Sequence, residues 1–223
     1  MKRSQLVSIS PGNRKLGGVM NISTSPRKCC PQGVPCASKG CYAFKAYRLY
    51  LGTRKAWNRN ERVAKRHPDS YFMQIAARVA EHKPRLFRWH VAGDILSSDY
   101  LHGMCRVARA NPQTHFLAFT KAFDIVNRYE EREAVPGNLV TVFSAWPGMR
   151  FDNPHRHRVA WMQDGTETRV PEDAIRCPGN CETCGLCYEL PRLGRDVVFH
   201  KHEYAYLNPL TITLYNSAFH PHC

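Results

Sequence analysis

The chain has 223 residues and a mass of 25.6 kDa, enough to bury one sizeable core. Hydrophobic residues make up 43% and charged residues 22%, which excludes an intrinsically disordered chain, and the net charge is +14. The longest charge-free apolar stretch, Leu139 to Trp146, falls far short of the ~20 residues that cross a bilayer, so no membrane partner is expected.

In chain order, the start Met1-Lys2-Arg3-Ser4-Gln5 lacks the apolar core of a secretion signal, and Pro11 and Arg14 follow soon after, so a cytoplasmic location is expected. Residues 5–9 and Val19–Thr24 are predicted as strands. A loop rich in Pro and Gly then carries Cys29, Cys30, Cys36 and Cys41. Tyr42 to about Arg66 reads as a helix, with Gly52 as a break. Asp69 or Ser70 caps a second helix ending before Pro84, with Phe72, Ile75, Ala76 and Val79 on its inner face. Arg85–Val91 is a strand ended by Gly93-Asp94. Ser98 caps a helix over Asp99–Asn111, with Leu101, Met104, Cys105 and Ala108 inward and Pro112 as its stop. His115–Phe119 is a strand, Ala122–Glu133 a helix and Leu139–Ser144 a strand. Residues 147–176 read as loop, with weak strands near Val159–Met162 and Arg169–Val170. Val197–His200 and Leu210–Leu214 are late strands.

Short joints between alternating strands and helices are the signature of parallel βα units. The predicted fold is therefore α/β: a single domain over 1–223 with a largely parallel sheet, curved into a partial βα barrel and bearing cysteine-rich loops at 29–41 and 177–187. In such sheets the loops after the strand C-termini gather at one rim. That rim would collect the first cysteine loop, Gly93, Asp94, Lys121, Ser144, His200 and His202 around one cavity. Gly93, Asp94, Lys121 and Ser144 are the candidate cofactor-binding residues. Each has a plainer role: Asp94 as a turn residue, Lys121 as a surface lysine, and the histidine pair as structural.

Eight of the ten cysteines fall in two clusters. The second, Cys177-x3-Cys181-x2-Cys184-x2-Cys187, packs four thiols into one loop flanked by Pro178, Gly179, Asn180 and Gly185. Stacked two-residue spacings suit a [4Fe–4S] cluster, whereas a four-thiolate zinc site uses two separated pairs. A disulfide framework needs an oxidising compartment that this chain gives no sign of entering. Cys30, Cys36 and Cys41 are candidate ligands of one cluster, and Cys177, Cys181, Cys184 and Cys187 of a second or of the same one. Zinc is the alternative metal. Cys29 and Cys30 are adjacent, so one of them points away from any shared metal. His90 and Cys105 read as core residues. His155, His157, His220 and His222 carry only a weak case for metal binding.

Residues 1–70 hold 15 Lys/Arg against Glu61 and Asp69, and residues 71–223 hold 17 basic and 16 acidic residues. The basic excess thus lies in the first third, a field suited to nucleic acid or another polyanion. Within it Tyr42, Phe44, Tyr47, Tyr50 and Trp57 interleave with Lys and Arg. The aromatics are expected on the buried side of an amphipathic helix, with basic residues outward.

Several segments together resemble the phage gene product 88 family. They are Gly12-Asn13-Arg14-Lys15-Leu16-Gly17, Cys30-Pro31, Cys36, Cys41-Tyr42-Ala43 and Arg88-Trp89-His90-Val91-Ala92-Gly93-Asp94. Phe119-Thr120-Lys121, Ser144, Cys184-x2-Cys187 and Phe199-His200-Lys201-His202 complete the likeness, which spans nearly the whole chain. The family names relatives without a reaction, and a phage origin would place the protein in the host cytoplasm. A more remote similarity is to radical S-adenosylmethionine enzymes, which carry three cysteines after the first barrel strand and a glycine-rich turn with an acid after the second. Cys30, Cys36, Cys41 and Ala92-Gly93-Asp94 occupy those places. The cysteine spacing is x5 then x4 instead of x3 then x2, and the turn ends in Asp, not Glu. This similarity implies a [4Fe–4S] cluster with an open iron, S-adenosylmethionine as a cofactor and an electron donor as a partner.

Three functions follow. One is an iron–sulfur phage protein with radical-enzyme architecture. Another is a basic nucleic-acid-binding protein braced by metal. The third is an electron-transfer or redox-sensing protein. No Ser/His/Asp triad, phosphate loop or paired-carboxylate motif stands in the sequence, so no catalytic residue is assigned.

Overall fold

The computed structural model describes residues 6–13, 15–26, 28–38 and 40–200. Its frame is a seven-stranded sheet in which every pair is parallel. The strands are β1 (Met20–Ile22), β2 (Leu86–Trp89), β3 (His115–Thr120), β4 (Leu139–Ala145), β5 (Val159–Gln163), β6 (Ile175–Arg176) and β7 (Val197–His200). Their order is β1-β2-β3-β4-β5-β7-β6, so β6 and β1 are the two edges. The α/β class and the parallel sheet match the sequence expectation.

Helices α1 (Tyr42–Leu49), α2 (Leu51–Arg66) and α3 (Pro68–His82) lie between β1 and β2 in the chain. Helix α4 (Ser98–Ala110) follows β2, and α5 (Phe123–Glu130) follows β3. Alternation along the strands sorts the sheet into two faces. One face carries Ile22, Phe87, Trp89, Phe116, Ala118 and Phe143 into the main core. There they meet Phe72, Ile75 and Val79 of α3, Leu101, Met104 and Cys105 of α4, and Val126 of α5. The other face carries Leu86, Leu117, Val140, Val142, Ala160 and Val197. Among the described residues no long helix covers it. It is closed by Tyr188 and Leu190, which lie in the turn Leu186–Tyr188 and in the short helix α7 (Leu190–Leu193). The C-terminal cysteine segment, including α6 (Cys181–Cys184), is thus packed onto the sheet.

The two edges are linked outside the sheet. Glu182 of α6 accepts a hydrogen bond from the Gly18 N–H at 2.9 Å, and the Cys181 N–H donates to the Lys15 carbonyl at 3.3 Å. Gly17 has φ +65°, and a Cβ there would meet the Glu182 carboxylate at 2.1 Å, so glycine is required for this approach.

The boundaries depart from the sequence reading at several points. Residues 6–9 form no strand, and Ser10 makes an isolated antiparallel bridge with Asn21. The long first helix breaks at Tyr50, whose extended backbone (φ −110°, ψ 105°) separates α1 from α2 two residues before Gly52. Helix α3 starts earlier than Asp69, because Pro68 occupies its first position, where a missing N–H costs nothing. Ser97, not Ser98, caps α4: its Oγ accepts from the Tyr100 N–H at 3.1 Å. Helix α5 is shorter than 122–133 and ends at Glu130. Arg169–Val170 is no strand, and the edge strand in that region is β6. The expected strand Leu210–Leu214 lies outside the described residues.

Candidate functional site

The rim at the C-terminal ends of β1 to β4 is built around Asp94. Directly after β2, His90 adopts φ 53° and turns the chain away from the sheet. Gly93 follows with φ +83°, and a Cβ there would come within 1.9 Å of Thr24 Oγ1. The turn thus lies directly on the loop after β1, and the Thr24 N–H donates to the Ala92 carbonyl at 3.0 Å.

Asp94 is buried and accepts three hydrogen bonds. Oδ1 receives the Ile95 N–H at 2.8 Å and the Thr120 hydroxyl at 2.5 Å, and Oδ2 receives the Lys121 N–H at 2.8 Å. Burial pushes its carboxyl upward from the usual range, and the bonds from Thr120 and Lys121 pull it back. These contacts lock the turn after β2 to the end of β3. The Lys121 ammonium donates to Ser144 Oγ at 2.9 Å, joining the end of β3 to that of β4. Gly93, Asp94, Lys121 and Ser144 therefore form one connected rim cluster, and Lys121 is half-buried and not a free surface lysine.

The first cysteine loop lies against this cluster. The Cys36 thiol is pushed up by burial, with the Lys121 ammonium pulling it down and Cys41 and Asp94 adding to the rise. The Tyr42 ring lies within electrostatic reach of Cys30, Cys36 and Cys41, and its hydroxyl donates to the Val91 carbonyl at 2.6 Å. Cys29 departs from this group. It is buried toward α2, where Glu61 and Lys65 act on it, and burial raises its thiol. The adjacent pair does point two ways.

The second cysteine group encloses a pocket. Cys177, Cys181, Cys184 and Cys187 all line it, with Leu117, Tyr188 and Val197 of the sheet face and its cover. Asn180 shapes the loop by accepting from the Glu182 and Thr183 N–H groups, and Gly185 ends α6 in the left-handed conformation. Burial pushes the Cys187 thiol up to about 12, and neighbouring thiols add to the rise. The Cys181 thiol is raised in the same way.

The residue that the sequence reading missed is Arg88. It sits mid-strand in β2, on the same face as Leu86, with its guanidinium 4.1 Å from the Phe119 ring centre. Its charge acts on Cys181 and Cys187 of one group and on Tyr42 beside the other. Arg88 is therefore a cation whose charge reaches the second cysteine group and the Tyr42 side of the first. Its signal was legible: a charge at an inward position of an otherwise apolar strand.

The donor set suits a thiolate-bound metal or cluster, with seven thiols in two groups, an apolar enclosure and a cation beside each. In the present arrangement no three His, Cys, Asp or Glu donors converge on one point among the described residues. No disulfide joins the described cysteines to one another.

His90, His155 and His157 make their contacts within the fold. His90 is buried, with Nε2 3.0 Å from the Tyr100 hydroxyl, which lies 2.9 Å from that of Tyr71. His157 stacks on Phe143 and lies 3.2 Å from Glu130, with His155 beside it. His200 ends β7, while His202, His220 and His222 lie outside the described residues. Cys105 is fully buried in the core face of α4. The aromatic residues of α1 and α2 differ from expectation: Phe44, Tyr47 and Trp57 are half-buried, but Tyr42 and Tyr50 are exposed. No helix among the described residues is long and apolar enough to cross a membrane.

No solved structure matches the chain. A curated relative, the gene 88 protein of Mycobacterium phage L5, is 26% identical over 218 residues, covering 83% of this chain and 90% of its own length. The family model described as gene product 88 matches residues 6–190, a span that takes in the whole rim cluster and both cysteine segments, and the chain belongs to that family.

Proposed function

We propose that this chain is an iron–sulfur protein with its principal centre at Cys177, Cys181, Cys184 and Cys187. The observation that carries this reading is that all four thiols line one pocket pressed against the apolar face of the sheet. A single loop with stacked short spacings suits a [4Fe–4S] cube better than a zinc ion. Arg88 offsets the negative charge that four thiolates and a cluster would bring into that pocket.

The first loop is proposed as a second centre, held by Cys30, Cys36 and Cys41. Three thiols leave one iron open to a ligand from the rim. Lys121, whose charge acts on Cys36 and whose ammonium donates to Ser144 Oγ, is the polar group that the rim would bring to such a centre, while the Asp94 carboxylate holds the two strand ends together. An open iron is where S-adenosylmethionine would bind in a radical enzyme, and an external electron donor would then be a partner.

The test is iron, zinc and sulfide analysis with an absorption spectrum on protein purified without air. Equal iron and labile sulfide with broad absorption near ~400 nm is the expected result. A colourless protein carrying zinc overturns it. Adding S-adenosylmethionine to the reduced protein is expected to alter the electron paramagnetic resonance spectrum of the first-loop centre. An unchanged spectrum overturns the open-iron part alone.

A further inference from the structure

We propose that Glu130, His155 and His157 bind a divalent transition-metal ion, of the class of zinc, at the end of the sheet away from the rim. Glu130 is the last residue of α5, and His157 stands just before β5. Helix α5 starts beside the rim, after β3, and runs back along the sheet. None of the three residues lines the pocket of the second cysteine group.

A buried nitrogen carries the inference. His157 Nε2 is buried and has no hydrogen-bond partner, and its side chain is 9% exposed. It faces the Glu130 carboxylate with Oε2 at 3.2 Å, yet the pair makes no hydrogen bond. His155 approaches the same oxygen with Nδ1 at 3.9 Å. The opposite edge of each ring is already engaged. His157 Nδ1 lies 3.3 Å from the Thr141 carbonyl and 3.1 Å from its hydroxyl, and His155 Nε2 lies 3.3 Å from the Asn127 carbonyl. A carbonyl only accepts, so these outer nitrogens carry the ring protons. Lone pairs are left on His157 Nε2 and His155 Nδ1, both near one carboxylate oxygen. Electron-pair donors gathered in this way repel unless a cation stands among them. A ring with its outer nitrogen on a backbone carbonyl and its inner nitrogen free is also how proteins hold a metal-ligating histidine.

The surroundings bring no cation of their own. Among the described residues Glu130 pairs with these two histidines and with no Lys or Arg. It also ends a helix, where the last carbonyls add negative potential and favour a positive charge. His157 is held firmly. Its ring stacks on Phe143 at 4.5 Å, and the Asn153 amide bonds both its N–H and its carbonyl at 2.8 Å. The His155 side chain, 29% exposed, leaves a way in from solvent.

Donors about 2.1 Å from one zinc ion stand roughly 3–3.5 Å apart. The His157–Glu130 pair has that spacing. His155 has to close by about half an ångström, so the three donors do not converge as they stand. Two imidazoles and a carboxylate suit zinc, cobalt or iron, whereas magnesium and calcium prefer oxygen donors alone. Three protein ligands leave a fourth position for water.

The experiment is nitrogen NMR of the full chain with isotope-labelled histidines, titrated with zinc ion. One ring is expected to shift at Nε2, for His157, and one at Nδ1, for His155. Magnesium is expected to shift neither. Glu130→Gln and His155→Ala are expected to weaken the zinc response at least tenfold. Circular dichroism verifies that both variants fold, and the parent spectrum decides the matter even where one does not. Histidine nitrogens that stay unshifted in excess zinc overturn the proposal. Shifts that persist at parental affinity in both variants place the ion on other histidines and overturn it as well. Zinc held by cysteine thiols leaves these two rings unshifted, so failure here leaves the iron–sulfur reading standing.

Discussion

The two cysteine segments share one sheet and differ in what surrounds them. Cys177, Cys181, Cys184 and Cys187 line an apolar pocket on the face opposite the helices, with Leu117, Tyr188 and Val197 as neighbours. Cys36 sits at the polar rim, beside Lys121 and Asp94. Burial raises the thiols in both places, and in both cations oppose it: Arg88 for Cys187, Arg88 and then Lys15 for Cys181, and Lys121 for Cys36. Enclosure by apolar side chains favours a closed, solvent-shielded centre. A rim with a lysine and a serine favours a centre that meets other molecules.

The sharpest break in that comparison comes from removing each group of thiols. Replacing Cys177, Cys181, Cys184 and Cys187 by Ser is expected to abolish the enclosed centre and to remove at least half of the bound iron. Replacing Cys30, Cys36 and Cys41 is expected to leave the enclosed centre in place, with its absorption retained. Iron per chain and the visible spectrum check both. If either set removes all the iron, the two segments share one centre and the comparison collapses.

Arg88 tests the electrostatic half of the contrast. Arg88→Met keeps much of the packing on Phe119 but deletes the charge. Loss of a cation beside a cluster disfavours its more negative, reduced form. The expected result is a fall of about 60 mV in the potential of the enclosed centre, one tenfold change for a single electron. Arg88→Lys is expected to recover part of it. Potentiometric titration followed by absorption gives the answer, and an unchanged potential in Arg88→Met would remove Arg88 from any role at the centre.

Gly93 tests the rim as a structure. At φ +83° an L side chain is strained, and a Cβ would overlap Thr24 Oγ1. Gly93→Ala is expected to cost about 3 kcal/mol, seen as a lower midpoint in urea unfolding. A cost below about 1 kcal/mol would mean that the turn shifts freely and does not fix the rim.

The sequence made some of this legible and not the rest. Strands β3, β4 and β7 stood out because unbroken apolar runs between turn residues leave few alternatives, and the inner face of α4 followed from its period. β6 did not, because two residues carry no period and its place is set by pairing with β7. For the helix break the sequence points to Gly52, because glycine is the usual helix breaker, yet the single extended residue Tyr50 makes it where α2 packs on α3. At the site, the gathering of Gly93, Asp94, Lys121 and Ser144 followed from parallel strands alone. What Asp94 does with its oxygens did not, because beyond the adjacent Ile95 N–H it depends on the Thr120 hydroxyl and the Lys121 N–H at the end of another strand.

His90 yields the smallest of these effects and the one with a definite pH window. Burial and the Arg88 charge lower its pKa from 6.5 to about 3, so the folded protein keeps the ring neutral. The unfolded chain binds the proton near pH 6.5, and the folded chain does so only near 3. Stability from this residue is therefore complete above about pH 6.5 and is lost as pH falls towards 3. Between pH 7 and pH 5 the expected loss is about 1–2 kcal/mol. His90→Asn separates this titration from the bulk of acid denaturation. Asn tolerates the left-handed backbone at φ 53° and does not titrate, although it forgoes the bond to Tyr100. The variant is expected to be less stable than the parent at pH 7 and to lose less between pH 7 and pH 5. Urea unfolding at the two pH values measures both numbers. Equal losses in parent and variant would show that the ring titrates normally in the folded chain, and with it that the end of β2 is open to water.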